Sequence, residues 1–270
     1  MTFSPVVPFG GYSGWAFLKR TQASQKAAFD TTATVKRDAD YFRKNISKVN
    51  SAEELVADRR LLQVALGAYG LDSDINNKYF IKKVLADGTL TNDALSSRLA
   101  NKQYEKLSAA FGFGDFSTPR NKLSDFADKT LALYKERQFE TAVGEQNGDY
   151  RIALNAEREL PALAGKSGSE DTLWYTVLGN VPLRRVFERA LSLPQSFGSI
   201  DLDQQLSTLK SRLESRFGSD SIRQFSDPEK LESLVRRFLV QSDIANASSQ
   251  TSQGSALQLL QAGSFRARNR

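Results

Sequence analysis

Apolar residues recur three or four positions apart in segment after segment of this chain, from Val35 to Leu239. That spacing gathers them on one face of a 3.6-residue helix. Val35, Ala39, Phe42 and Ile46 form one such set. Leu123, Phe126, Ala127, Leu131, Tyr134 and Phe139 form another, and Leu231, Leu234, Val235, Phe238 and Leu239 a third. No alternating stretch of useful strand length occurs between them. The expected fold class is all-α, a multi-helix protein.

Local signals set the expected helix ends. Helices are predicted from Trp15 to about Phe29 and from Thr32 to about Ile46. Ser51 with Glu54 three residues on is a capping box, opening a helix that runs through Leu66 to Gly67 or Gly70. A short helix spans Ile75 to Ala86, and Asn92 caps the next, which carries Leu95, Leu99, Tyr104, Leu107 and Phe111. Thr118-Pro119 starts a long helix, proline being favoured at the first position. Beyond Asn147-Gly148, a helix is expected over Tyr150–Ala164, interrupted or ended around Pro161 and Gly165. Ser169 caps the next, Pro182 opens another, Asp201 or Leu202 opens a third, and Ser226 or Asp227 caps the last with Pro228 at its first position.

Four regions follow. Residues 1–14 hold Pro5, Pro8, Gly10, Gly11 and Gly14 and are expected to be extended or flexible. Residues 15–147 are a first helical repeat and 148–245 a second, packing separately or as one domain. Residues 246–270 form a Ser/Gln-rich and then basic tail, expected to be flexible, with a short helix at 256–262. The duplication rests on an echo. Leu107, Phe111 and Gly112 match Leu213, Phe217 and Gly218 at a constant offset, and the run from Ile81 to Leu85 matches Phe187 to Leu191 at the same offset. Each copy then enters another helix through a proline, Pro119 or Pro228. The reading is two diverged repeats of about 100 residues.

Composition narrows the chemistry. The 270 residues include no Cys and no His. Disulfides, thiolate metal sites, Ser-His-Asp triads and Cys-His pairs are excluded, and a zinc site lacks its usual ligands. The general base most used near neutral pH is missing. The chain is expected not to be an enzyme, and no cofactor or metal is expected. The net charge of +6 is spread over basic doublets such as Lys36-Arg37, Arg59-Arg60 and Arg236-Arg237; the concentrated basic run is Phe265–Arg270. A dedicated nucleic-acid binder gathers such charge in one stripe. No run of apolar residues is long enough to span a membrane. The N-terminus has two prolines and no basic region before its apolar part, a poor signal peptide. A cytoplasmic or flagellum-associated location without a cleaved signal is expected.

Several motifs dissolve on inspection. Gly112-Phe113-Gly114 follows a helix, where a dinucleotide fingerprint follows a strand. Gly10-Gly11-Tyr12-Ser13-Gly14 lacks the lysine of a phosphate loop. Asp72, Asp74 and Asn76 occupy calcium-loop positions, but Asn77 stands where glycine belongs and Lys83 where the bidentate acid belongs. Ser207 and Lys210 match S-x-x-K without its companion elements. The paired carboxylates Glu53-Glu54, Asp38 with Asp40, and Asp201 with Asp203 suit helix starts or solvated faces.

Three stretches carry a family pattern: "YFRKNISKVNSAEELVADRRLLQVALGAYGL", "KYFIKKVLADG" and "SRLANKQYEKLSAAFGFGD". The chain resembles the bacterial domain-of-unknown-function family twelve-seventeen from about Tyr41 to Phe116, and more loosely in the second repeat. Members occur mainly in alphaproteobacteria, often within flagellar or motility gene clusters. The resemblance carries no catalytic or ligand residue. It implies an association with flagellar assembly or function. The combined expectation is a non-enzymatic helical protein that binds other proteins, flagellar components among them. Its contact candidates are Phe9, Tyr12 and Trp15 at the start, and Phe265, Arg266 and Arg268 at the end. The aromatic residues of the first segment either form an exposed strip or lie back on the domain surface. A second reading, a polyanion- or nucleic-acid-binding module using the basic doublets, stands beside the first. A third is an enzyme working with Lys and carboxylates, which would need a deep pocket gathering them.

Overall fold

The computed structural model describes residues 3–91 and 93–267, with the backbone alone for Gln195 and residues 248–267. The described residues form thirteen α-helices, short 3-10 turns and no strand. The chain divides into two compact units. The first comprises Met1–Val6 with Leu18–Gly148, the second Val7–Phe17 with Asp149–Arg270.

The first unit holds the larger part of α1 (Gly11–Asp30), then α2 (Ala33–Asn45), α3 (Ala52–Ala57), α4 (Arg59–Tyr69), α5 (Lys78–Asp87), α6 (Leu95–Arg98), α7 (Gln103–Phe111) and α8 (Phe126–Gln146). Its core is aliphatic with aromatic plugs: Phe42, Leu55, Leu62, Leu66, Ile81, Leu85, Leu107 and Phe111 are buried together. The broadest helix pairing is α4 against α8. Gly67 makes it close, because the Tyr134 ring lies where a β-carbon would be.

The second unit holds the start of α1, α9 (Gly148–Ala164), α10 (Glu170–Gly179), α11 (Val181–Ala190), α12 (Leu202–Phe217) and α13 (Pro228–Ala267). A row of rings runs through it. Trp174 meets Phe187 at 5.1 Å, Phe187 meets Phe225 at 5.6 Å, and Phe225 meets Phe217 at 6.0 Å, all edge to face. This is the arrangement that ring quadrupoles favour. Here α11 and α13 make the broadest pairing.

Most caps fall where local chemistry puts them. Ser51 Oγ accepts from Glu54 N and Ser169 Oγ from Thr172 N, both at 3.2 Å. Asp201 caps α12 through Asp203 N at 2.9 Å, and Asp227 accepts from Glu229 N at 2.9 Å. Pro228 takes the first position of α13.

Other expectations change. The helix opened by Ser51 is two helices, broken at Asp58. That residue has extended backbone, and its carboxylate accepts from Arg60 N and Leu61 N, so it restarts the helix. The Glu54 side chain bonds Asn50 N at 2.8 Å rather than closing the box on Ser51. Pro119 precedes a 3-10 turn at Arg120–Lys122, and the long helix begins at Phe126. Asn92 lies outside the described residues. Helix α9 runs through Pro161 without interruption and ends at Ala164, just before Gly165 as expected, with Leu160 and Leu163 buried. Helix α1 starts at Gly11, inside the segment expected to be extended. The backbone of 248–267 continues α13.

Candidate interaction sites

The Phe111–Phe116 turn is built from the helix it ends. Leu107 and Phe111 are buried, and Phe111 stacks on Phe113 at 5.4 Å and meets Phe126 edge-on at 4.9 Å. Gly112 takes the left-handed conformation at φ 65°, and its N–H bonds Ser108 O at 2.8 Å. Asp115 N and Phe116 N then donate back to Gly112 O. This is glycine's usual role at a helix C-terminus.

The turn is also bolted to the end of α5. Gly114 packs on the Ala86 carbonyl and the Gly88 nitrogen, so close that a β-carbon would overlap both. The Asp115 carboxylate accepts from Thr89 N at 2.6 Å, Thr89 Oγ1 at 2.8 Å and Leu90 N at 3.1 Å. Two buried serines finish the joint: Ser96 Oγ donates to Gly88 O at 2.7 Å and Ser108 Oγ to Val84 O at 3.0 Å. The free amides of the 88–90 turn therefore bind a carboxylate from the chain itself. The joint holds Leu90 outward, 70% exposed, and the Arg120 guanidinium lies 4.6 Å above the Phe116 ring.

The contact candidates at the N-terminus part company. Trp15 is 2% exposed and packs on Tyr150 at 5.9 Å, within the second unit's core. Tyr12 is half-buried. Its hydroxyl donates to Glu232 at 3.0 Å, and Arg236 lies 5.0 Å over its ring. Phe9 is 62% exposed, while its carbonyl accepts from the Tyr150 hydroxyl at 3.1 Å. Burial, with Asp243 adding to it, pushes the Tyr150 phenol up to about 12, so it stays a donor here. The strip that the sequence offers as three aromatic residues thus presents Phe9 outward and sinks Trp15. The side chains of Phe265 and Arg266, and Arg268 altogether, lie outside the described residues.

The remaining motifs do local work. Asp72 accepts from Gln138 at 2.9 Å, and Asp74 from the Tyr104 hydroxyl at 2.6 Å and Asn77 at 2.7 Å. Those carboxylates tie helices together. Lys210 pairs with Asp171, while Ser207 Oγ donates to Gln204 O at 3.1 Å, so the two do not act together. Asp38 pairs with Arg60 at 3.6 Å and accepts from the Tyr134 hydroxyl at 3.2 Å. Among the described residues no three His, Cys, Asp or Glu gather as a metal ion would require.

Two exposed residues escaped the sequence reading. Tyr79, at 78%, faces outward because Ile81, Val84 and Leu85 take the inner face of α5, while Leu90 lies in the turn beyond that helix. For Tyr79 the signal was present in the period itself, since it falls opposite Ile81 and Leu85 on a helical wheel.

An all-α protein of two helical units, with hydrogen-bonded turns and outward apolar side chains, is the class this geometry defines. A crystal structure of protein AGR_C_984 from Agrobacterium tumefaciens matches it with a TM-score of 0.73 at 23% identity, over 90% of this chain and 99% of that one. At that identity the likeness shows the fold alone. The family model described as "Protein of unknown function (DUF1217)" matches residues 68–231, and the chain belongs to that family. The match begins later than the resemblance at Tyr41 and continues through the second half to Leu231. No curated protein matches the chain. No helix among the described residues is long and apolar enough to cross a membrane.

Proposed function

We propose that this protein is a non-enzymatic helical scaffold that binds other proteins and serves the bacterial flagellum or motility. The observation that carries protein binding is the α5–α7 joint: the Asp115 carboxylate ties down the backbone of the turn on which the Leu90 side chain is exposed. A turn whose backbone is already hydrogen-bonded loses less freedom on binding, and the exposed Leu90 offers apolar area to a partner. Tyr79 on α5 and Phe9 before α1 add outward apolar side chains. The flagellar context rests on the family resemblance.

The two-repeat reading belongs to the same proposal. Both Gly112 and Gly218 are left-handed caps whose N–H bonds the carbonyl four residues back at 2.8 Å, and each leads through a 3-10 turn into a long helix. The shared order supports a duplicated scaffold.

Dispersed ion pairing favours protein binding over the polyanion reading. Arg43 pairs with Asp128, Lys82 with Glu53, Lys210 with Asp171 and Arg223 with Glu170. Such pairing divides the positive charge instead of gathering it.

The test is crosslinking with mass spectrometry in motile cells, beside a deletion strain. Flagellar components are expected among the crosslinked partners, and Leu90→Ser is expected to remove crosslinks without changing the melting temperature. Normal swimming in the deletion strain with no flagellar protein crosslinked would refute the proposal.

A further inference from the structure

The start of the chain is held like a ligand. Val6 donates its N–H to Gln25 Oε1 at 2.6 Å, and its carbonyl accepts from Gln25 Nε2 at 3.1 Å. The same amide nitrogen donates to Thr21 Oγ1 at 2.8 Å, which fixes its orientation. Gln25 is 8% exposed. Nearby, Gln146 Nε2 donates to Ser4 Oγ at 3.3 Å, and Pro5 is buried. All of these residues lie in the first unit.

A buried primary amide that turns both its acceptor and its donor to one residue's backbone reads main chain, as peptide-binding sites do. The Val6 side chain points away into solvent, so recognition rests on the Val6 backbone and the Pro5 ring. Pro5 and Pro8 fix φ in the segment, which lowers the entropy lost on docking.

We propose that Gln25, Gln146 and the Pro5 site form a binding site for an extended peptide, with the Ser4-Pro5-Val6 segment as an exchangeable occupant. The second occupant is the same segment from another copy of this chain. Every copy carries both the site and its ligand. They are joined through Val7–Gly10. The tether gives the intrachain occupant an effective concentration on the order of millimolar, so exchange grows with chain concentration.

The test uses the full-length chain. Pro5→Asp empties the site from within, and a fluorescent peptide of sequence FSPVVPFG is titrated into that variant by anisotropy. Saturable binding is expected, weaker to the wild-type chain, whose own segment competes. Adding Gln25→Glu keeps the side chain's size but removes its donor, and should weaken binding at least about tenfold, the loss of one buried hydrogen bond. A peptide with proline at the Val6 position lacks the N–H and should fail to bind; this control leaves the protein's folding untouched. Light scattering of the wild-type chain should show a dimer fraction that rises with concentration and is lost in Gln25→Glu. Absence of saturable binding to Pro5→Asp, or equal binding of the proline-substituted peptide, would overturn the site. A wild-type chain monomeric at every concentration would overturn exchange between copies.

Discussion

Replacing Gly114 with alanine tests the α5–α7 joint most directly. A methyl group there would overlap the Ala86 carbonyl oxygen and the Gly88 nitrogen and lie 2.8 Å from the Ala86 carbonyl carbon. These are backbone atoms, so no side chain can swing aside. Ordinary contact distances need a shift of about 1 Å in one of the two turns. Overpacking of that kind costs about 1–3 kcal/mol. The shift also stretches the three bonds to the Asp115 carboxylate, and a hydrogen bond to a charged group contributes about 1.5–3 kcal/mol. Losing part of one brings the expected destabilisation to about 3 kcal/mol. Two controls isolate the cause. Gly148, at the start of α9, has open space and no left-handed φ, so Gly148→Ala should be neutral or stabilise by about 0.5 kcal/mol. Gly218 has φ 80° and open space, so Gly218→Ala should cost only the left-handed strain, about 1–2 kcal/mol. The assay is urea unfolding followed by two probes. Both tryptophans, Trp15 and Trp174, lie in the second unit, so their fluorescence follows that unit while circular dichroism follows the whole chain. Gly114→Ala should move the circular-dichroism transition of the first unit, and Gly218→Ala the fluorescence transition. If Gly114→Ala unfolds within about 1 kcal/mol of Gly148→Ala, the joint is not the constraint described here.

Further outcomes follow from the same geometry. Phe187→Ala removes the middle of the second unit's ring row and should cost about 3–5 kcal/mol, read by tryptophan fluorescence in urea. Asp58→Ala removes both the cap that restarts α4 and the acceptor of the Tyr41 hydroxyl at 2.6 Å, and should cost about 1–3 kcal/mol; a loss below a few tenths would mean that packing alone sets the break. Burial pushes Tyr69 and Tyr104 up to about 12, and Tyr134 still further, so each favours the protonated form when folded. Their contribution to stability is complete below pH 10, the ordinary phenol value, and is lost as pH rises through about 12. Phenolate absorbance should therefore rise late, together with loss of helical circular dichroism. Titration of Tyr69, Tyr104 and Tyr134 near pH 10 with the helix signal intact would contradict it.

Much of this molecule follows from local chemistry that the sequence displays. Apolar period makes helices, Ser51, Ser169 and Asp201 accept the first orphan amides, and Gly112 and Gly218 end helices by taking a left-handed φ. These features involve residues within a turn of one another, so they can be read without knowing what lies across the fold. Partners distant in sequence decided the rest. Pro161 survives inside α9 where Leu160 and Leu163 are buried. Trp15 goes inward because the Tyr150 ring lies beside it. Asp115 becomes a bolt only because Thr89 and Leu90 bring unpaired amides to it, and Gln25 meets Val6 only when the chain doubles back. Helix ends are set by hydrogen bonds that close over a few residues. Exposure, joints and binding sites depend on which surfaces meet, and that is decided only when the helices pack.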